Sequence, residues 1–230
     1  MHAFDHAIPD AFAPAHDAAW HALTVDAAAF VFLLDPDAVV RATNHAAREL
    51  CRPCVGEPVG RDLASLFGRP FAIERADLLA RARSGEPRAR IRGMICGVLC
   101  IETYRALHPS TDVLLVARPA GLDADLPELA HEPTPPLAQT NHLARFAALT
   151  ERELELLHHL GLGRTSEEIA ALMHRSTRTV EWHRASLGRK LDCDNRVQLA
   201  RLAARAGITT LDPSLIRALH RSNTHPNGTR

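Results

Sequence analysis

The sequence predicts an α+β protein in two parts: an N-terminal antiparallel sheet interleaved with short helices, then a C-terminal all-α domain of four helices. Three observations predict it. Short apolar runs bounded by turn residues fill 30–118, the pattern of strands. After 148 the apolar spacing becomes helical, and hydroxyl residues recur three positions before Glu, the pattern of capped helix starts. Between the two, residues 120–147 carry Pro127, Pro133, Pro135 and Pro136 and read as a stiffened linker.

Composition sets bounds. The chain has 230 residues, room for one large domain or two small ones. It has 46% apolar residues, yet no run approaches a membrane span. The start, MHAFDHAIPDAF, lacks the basic residues and apolar core of a secretion signal, so the expected location is the cytoplasm. Formal net charge is zero, so affinity for nucleic acid must come from uneven charge. Seven basic residues fall between Arg178 and Arg205 against three acids, the strongest basic stretch present. Lys190 is the only lysine.

Residues 1–16 read as a loose tail and 17–119 as the first domain. Strands are expected at 30–34 and 38–42 around an Asp35-Pro36-Asp37 turn. A helix over 44–50 with Asn44 as cap follows. Another spans 75–83 and stops at Gly85, and strands at 89–95, 98–107 and 113–118 close the domain.

In 148–210, Thr150 and Glu153 form a capping box, and Leu154, Leu156, Leu157 and Leu160 give a buried face that Gly161 and Gly163 end. Thr165 and Glu168 open a second helix with Ile169, Ala170, Leu172 and Met173 as core. His174-Arg175-Ser176 is a turn, and Ser176 or Thr177 caps a third helix to Leu191. Val180, Leu187 and Leu191 form its apolar stripe, while Arg178, Glu181, Trp182, Ala185 and Arg189 point elsewhere. A fourth helix runs from about Asn195 to Ala206. Residues 211–230 hold a short helix and a tail. A helix, a tight turn and a second helix with outward polar groups is the geometry of a helix-turn-helix DNA reader.

The segment resembles the LuxR/GerE-type helix-turn-helix family, also called the NarL/FixJ class. The resemblance is carried by Leu149-Thr150-x-Arg152-Glu153, Gly163, Glu168-Ile169-Ala170, Ser176-x-x-Thr179-Val180-x-x-His183, Lys190-Leu191 and Asn195-Arg196. It implies that the third helix lies in the major groove with Glu181, Trp182 and Ala185 at base-facing positions. Ser166, Thr177, Thr179, Arg184, Arg189 and Lys190 are then candidates for phosphate contact, with Arg178 and His183 in the same surface. Val197, Leu199, Ala200 and Leu202 become candidate dimer contacts. Family members often carry Lys at Glu181 and a small aliphatic at Trp182. Glu accepts from cytosine N4 rather than donating to guanine, so a different site preference is expected. A competing reading has Glu181 merely pairing with Arg178 or Arg184 along the helix. For Arg189 and Lys190, near the helix end, a helix-dipole role competes with the favoured phosphate contact.

The first domain resembles a PAS domain, on FLLDPDAVVRATNHAARELC followed by Gly60-x-x-Leu63 and on its strand–helix–strand order. The fold class implied is a PAS-like antiparallel sheet with short helices plus a four-helix LuxR-type domain. The function implied is a dimeric, sequence-specific transcription regulator that binds double-stranded DNA under control of a PAS-like input domain. The alternative is a protein-docking module, with RNA polymerase a candidate partner, or a redox- or metal-responsive cysteine sensor. Cys51, Cys54, Cys96 and Cys100 are enough in number for a metal site. They also read as small buried residues. No cofactor is indicated. No phosphate loop, metal-binding His pair or nucleophile–base set is present, so an enzyme is not expected.

Overall fold

The computed structural model describes residues 29–86, 89–120 and 134–224. The expected tail at 1–16, residues 225–230 of the tail expected at 222–230, and the first part of the expected linker lie outside the described residues, while 222–224 continue the last helix. The elements are β1 (Phe30–Leu34), β2 (Val40–Thr43), α1 (His45–Val55), α2 (Leu63–Phe67), α3 (Arg69–Arg83), β3 (Ala89–Ile95), β4 (Val98–Ala106), β5 (Val113–Pro119), α4 (Glu151–Gly161), α5 (Ser166–Leu172), α6 (Thr177–Leu191), α7 (Arg196–Arg205) and α8 (Pro213–Thr224). This is the α+β arrangement the sequence predicts.

The strands form one sheet in the order β2-β1-β5-β4-β3. β1 pairs antiparallel with both β2 and β5, so the first and last strands are neighbours in the middle of the sheet. β2 starts two residues later than expected. Asp35 accepts from the N–H groups of Asp37 (3.0 Å) and Val39 (2.9 Å), and Ala38 takes a left-handed φ of 61°. The Asx turn therefore holds residues 35–39 out of the ladder. Asn44 caps α1 by accepting from Ala47 N–H at 2.9 Å and also from Val31 N–H at 3.1 Å, while its amide donates to Ala29 O at 2.8 Å. One side chain thus starts a helix and fixes it to a central strand. α3 begins well before the expected 75 because Pro70 in its first turn needs no N–H partner.

The contacts divide the chain into two units: up to Arg92 with Ile101–Arg118, and Gly93–Cys100 with Pro119 onward. The sequence reading differs, placing one boundary at 119 and a linker to 147. The first unit buries Arg75, Glu102 and Tyr104 completely. Glu102 accepts from Arg75 Nε (3.2 Å), Arg75 Nη2 (2.7 Å) and the Tyr104 hydroxyl (2.6 Å). Arg75 also donates to Glu74 at 2.9 Å and stacks 3.8 Å from the Phe71 ring centre. Burial alone would lower the Arg75 pKa, but Glu102 and its hydrogen bonds outweigh it and hold the guanidinium charged. Burial and the Glu102 carboxylate push the Tyr104 phenol up.

The second unit is built on one apolar cluster, in which Met94 and Leu99 join Leu154, Leu157, Leu160, Val180, Leu187 and Ala203. Residues 134–148 contribute to it rather than acting as a bare spacer. Leu143 and Phe146 are buried in the cluster, and His142 N–H donates to Met94 O at 2.9 Å. Leu99 N–H likewise donates to Ala206 O at 2.9 Å. α8 closes the cluster with Ile216 and Leu219. Gly163, at φ 78°, follows the end of α4. Gly161 has another role: a Cβ there would lie 2.5 Å from Thr209 Cγ2 and 2.7 Å from Ala203 Cβ, so its bareness lets the end of α4 touch α7. Leu172, expected in the core, is 51% exposed, because Ile169, Ala170 and Met173 fill the inner side of this short helix.

Candidate nucleic-acid interface

The pair α5–α6 starts from two caps. Thr165 and Glu168 form a reciprocal capping box on α5. Ser176 accepts from Thr179 N–H at 3.2 Å and caps α6. Between them His174 takes φ 53°, and Arg175 N–H donates back to Ala170 O at 2.9 Å, which makes the turn tight. α6 buries Val180, Leu187 and Leu191. Arg178, Trp182, Ala185 and Arg189 are exposed, at spacings that put them on one stripe of the helix. Trp182 is 64% exposed, an unusual place for an indole that no protein core claims.

The other expected contact residues lie in three environments. Glu181 is half-buried beside α5. Its Oε1 accepts from Ser166 Oγ at 2.5 Å and its Oε2 from Arg184 Nε at 2.7 Å. The Ser166 hydroxyl and then Arg184 hold its carboxyl below the ordinary range. The helix pair with Arg184 is therefore formed. Thr179 shares a 2.8 Å hydrogen bond with Ser176, and Thr177 is half-buried at the first position of the helix. His183 is half-buried edge-on to Trp182, ring centres 5.0 Å apart, and its Nδ1 is buried with no hydrogen bond among the described residues.

Lys190 is tied inward. Its ammonium donates to Glu153 Oε2 at 2.6 Å and to Ala148 O at 3.1 Å. Glu153 also accepts from Thr150 N–H (2.8 Å), the Thr150 hydroxyl (3.0 Å) and Ser186 Oγ (2.8 Å). Burial would raise the Glu153 pKa, but Lys190, Thr150 and Ser186 overcome it and bring it to about 2. One nearly buried carboxylate thus locks the start of α4 to the last turns of α6.

On α7 the four expected dimer residues separate. Val197 is 59% exposed and Ala200 is partly exposed, while Leu202 packs partly on the core. Leu199 is fully buried with Ala203, so its side chain is not on the outward surface. Helical periodicity explains the change. Val197, Arg201 and Ala204 share the exposed stripe, and Leu199 lies on the opposite side. Arg201 and Ala204 are the outward residues that the sequence reading missed.

The cysteines do not gather. Cys51 lies on α1 in the first unit and is buried, and Cys54 near it is exposed. Cys96 and Cys100 belong to the second unit, and a turn at Cys96 (φ 49°) and Gly97 (φ 78°) separates them instead of one continuous strand. Among the described residues no group of three or more His, Cys, Asp or Glu side chains is placed to hold a metal ion. Sequence reasoning also missed the Arg75–Glu102–Tyr104 cluster; its only signal is an Arg within an otherwise apolar helix face.

Residues 147–203 match the family described as bacterial regulatory proteins, luxR family. The C-terminal domain is a LuxR-family helix-turn-helix domain. The chain is 40% identical over 63 residues to the uncharacterized response regulatory protein YgeK of Escherichia coli, covering 27% of this chain and 43% of that one. It is 44% identical over 52 residues to the nitrate/nitrite response regulator protein NarP of the same organism, covering 23% of this chain and 24% of that one. The chain thus spans less than half the length of these relatives. A solved phage structure, the VqmA-DPO complex, aligns over 87% of this chain and 92% of its own at 19% identity. Its TM-score is 0.37.

Proposed function

We propose that this chain is a sequence-specific, double-stranded-DNA-binding transcription regulator that works as a homodimer on DNA. The observation that carries it is the exposed stripe Arg178, Trp182, Ala185 and Arg189 on α6, inside the segment that matches the luxR family. In this reading α6 enters the major groove, with Trp182 and Ala185 against base edges. Ser166, Thr177, Thr179, His183, Arg184, Arg189 and Lys190 line the surface nearest the phosphates, and Glu181 sits between the two sets. The exposed stripe of α7 around Val197 and Ala200 is the dimer contact. The N-terminal unit is a PAS-like input domain, a reading supported by the strand order β2-β1-β5-β4-β3 and by Asn44 joining the opening strand to its helix. The protein acts in the cytoplasm, on DNA and with RNA polymerase, and not as an enzyme. Among the described residues no helix is long and apolar enough to cross a membrane.

The test is selection of bound duplexes from a random DNA library with the full chain, followed by titration across salt. Enrichment of one two-fold-related site supports the reading, and no enrichment overturns it. Arg189→Ala should weaken binding to all sequences alike and lower the salt slope by about one, as loss of one phosphate contact does.

A further inference from the structure

Two stripes of α6 carry polar groups, and they differ in what holds them. Arg178, Trp182, Ala185 and Arg189 are exposed. Glu181 and Arg184 lie on the adjoining, half-buried stripe against the start of α5. Both oxygens of Glu181 are engaged, one by Ser166 Oγ at 2.5 Å and one by Arg184 Nε at 2.7 Å. The carboxylate therefore faces its own protein. Arg184 gives only its Nε to this contact, and its two Nη groups have no hydrogen bond among the described residues. A guanidinium fixed at Nε keeps a planar pair of donors free, the shape that matches a phosphate.

We infer that Glu181 is a positioning residue and not a base reader. It fixes Arg184 so that both Nη groups meet a DNA phosphate, and through Ser166 it sets the spacing of α5 and α6. Base reading is left to Arg178, Trp182 and Ala185. The inference rests on the DNA-binding reading above. It also fixes a sign. Removing a carboxylate near DNA relieves repulsion from phosphates and by itself tightens binding. Loss of positioning does the opposite.

The experiment uses the full chain as wild type, E181A, E181Q, R184A, the double variant E181A/R184A, and W182A. Each is taken through selection from a random duplex library, salt titration on the selected site and on an unrelated duplex, and a thermal melt. E181A is expected to weaken binding to both duplexes by the same factor, about tenfold, the worth of one charged hydrogen bond. It should also lower the salt slope by about one, because the Arg184 phosphate contact is lost. E181Q keeps one acceptor oxygen for Arg184 and turns an amide N–H to Ser166 Oγ, which can accept it, so it should lose less. In the R184A background E181A should cause no further loss, since both remove the same contact, and only the small gain from relieved repulsion is left. E181A and E181Q should select the wild-type consensus, and W182A a different one.

A changed consensus for E181Q, tighter binding by E181A, or additive losses in the double variant would each overturn the inference. So would a weaker E181A whose melting temperature falls while its salt slope stays unchanged, because that marks a structural role alone. If wild type enriches no sequence, the DNA reading itself fails and takes this inference with it, an outcome visible before any variant is compared.

Discussion

Glu102 in the N-terminal unit and Glu181 on α6 hold the same set of partners in opposite surroundings. Each accepts from an arginine and from one hydroxyl, Tyr104 for Glu102 and Ser166 for Glu181. The Glu102 and Arg75 side chains are 0% exposed, whereas Glu181 and Arg184 are 41% and 33% exposed. Water can replace either partner of Glu181 and neither partner of Glu102. The chemistry of a carboxylate cluster is thus set by its ligands, but what it does is set by access. The closed cluster is committed to the fold, and the open one is available to a partner molecule.

The largest expected effect tests the closed cluster. Arg75→Ala leaves Glu102 buried without its cation and should cost about 3–5 kcal/mol, seen as a lower denaturant midpoint for the N-terminal unit. Replacing the set together, as Arg75→Met with Glu102→Leu and Tyr104→Phe, should recover most of it, since no buried charge or hydroxyl is then stranded. A triple variant as unstable as Arg75→Ala would break the comparison.

Glu153 is an intermediate case, nearly buried but paired with a partly exposed lysine. Glu153→Gln should cost roughly 1.5–3 kcal/mol, the range for hydrogen bonds to a charged group. Because its folded pKa, about 2, lies below the ordinary 4.5, its contribution is complete above 4.5 and is lost as pH falls towards 2. An acid titration of wild type against Glu153→Gln should therefore converge in that window.

His159 gives the next effect. Burial, then His158 and Arg164, bring its pKa to about 4, and Arg164 Nη1 meets its Nδ1 at 2.7 Å, so the neutral ring is the form that fits. Its stabilisation is complete above 6.5 and declines as pH falls from 6.5 to 4. Wild-type melting temperature should start to drop in that range, before the carboxylates titrate, and His159→Gln should shrink that early drop, leaving the part owed to His142, whose pKa burial also lowers. The smallest effect belongs to the open cluster. Glu181→Ala should change stability by less than about 1 kcal/mol, as exposed ion pairs do, measured by the same denaturant midpoints.

Much of the second unit was legible because its signals are local. Thr150, Thr165, Ser176 and Asn195 all cap the helices that follow them, each bonding a backbone N–H three residues on. What stayed hidden depends on distance along the chain. Arg75 and Glu102 are 27 residues apart, and nothing in either local sequence marks the other as its partner. Gly161 looked like a helix stop because the atoms it makes room for, on Ala203 and Thr209, come more than forty positions later. Leu199 was misplaced for a simpler reason: an apolar residue on a short helix suits a dimer surface or a core equally well, and only packing against the α4 leucines decides it.

The inward tie of Lys190 makes the molecule its own reporter. Its ε-amine is the only one on any side chain, and it is held between Glu153 and the Ala148 carbonyl. Acylation there needs a free amine, so the rate at which an amine-reactive reagent marks this position is a clock for how often the ammonium leaves Glu153 and the Ala148 carbonyl. Timing that clock across urea concentrations below the unfolding transition would turn one side chain into a readout of this contact, at single-residue resolution and without any engineered label.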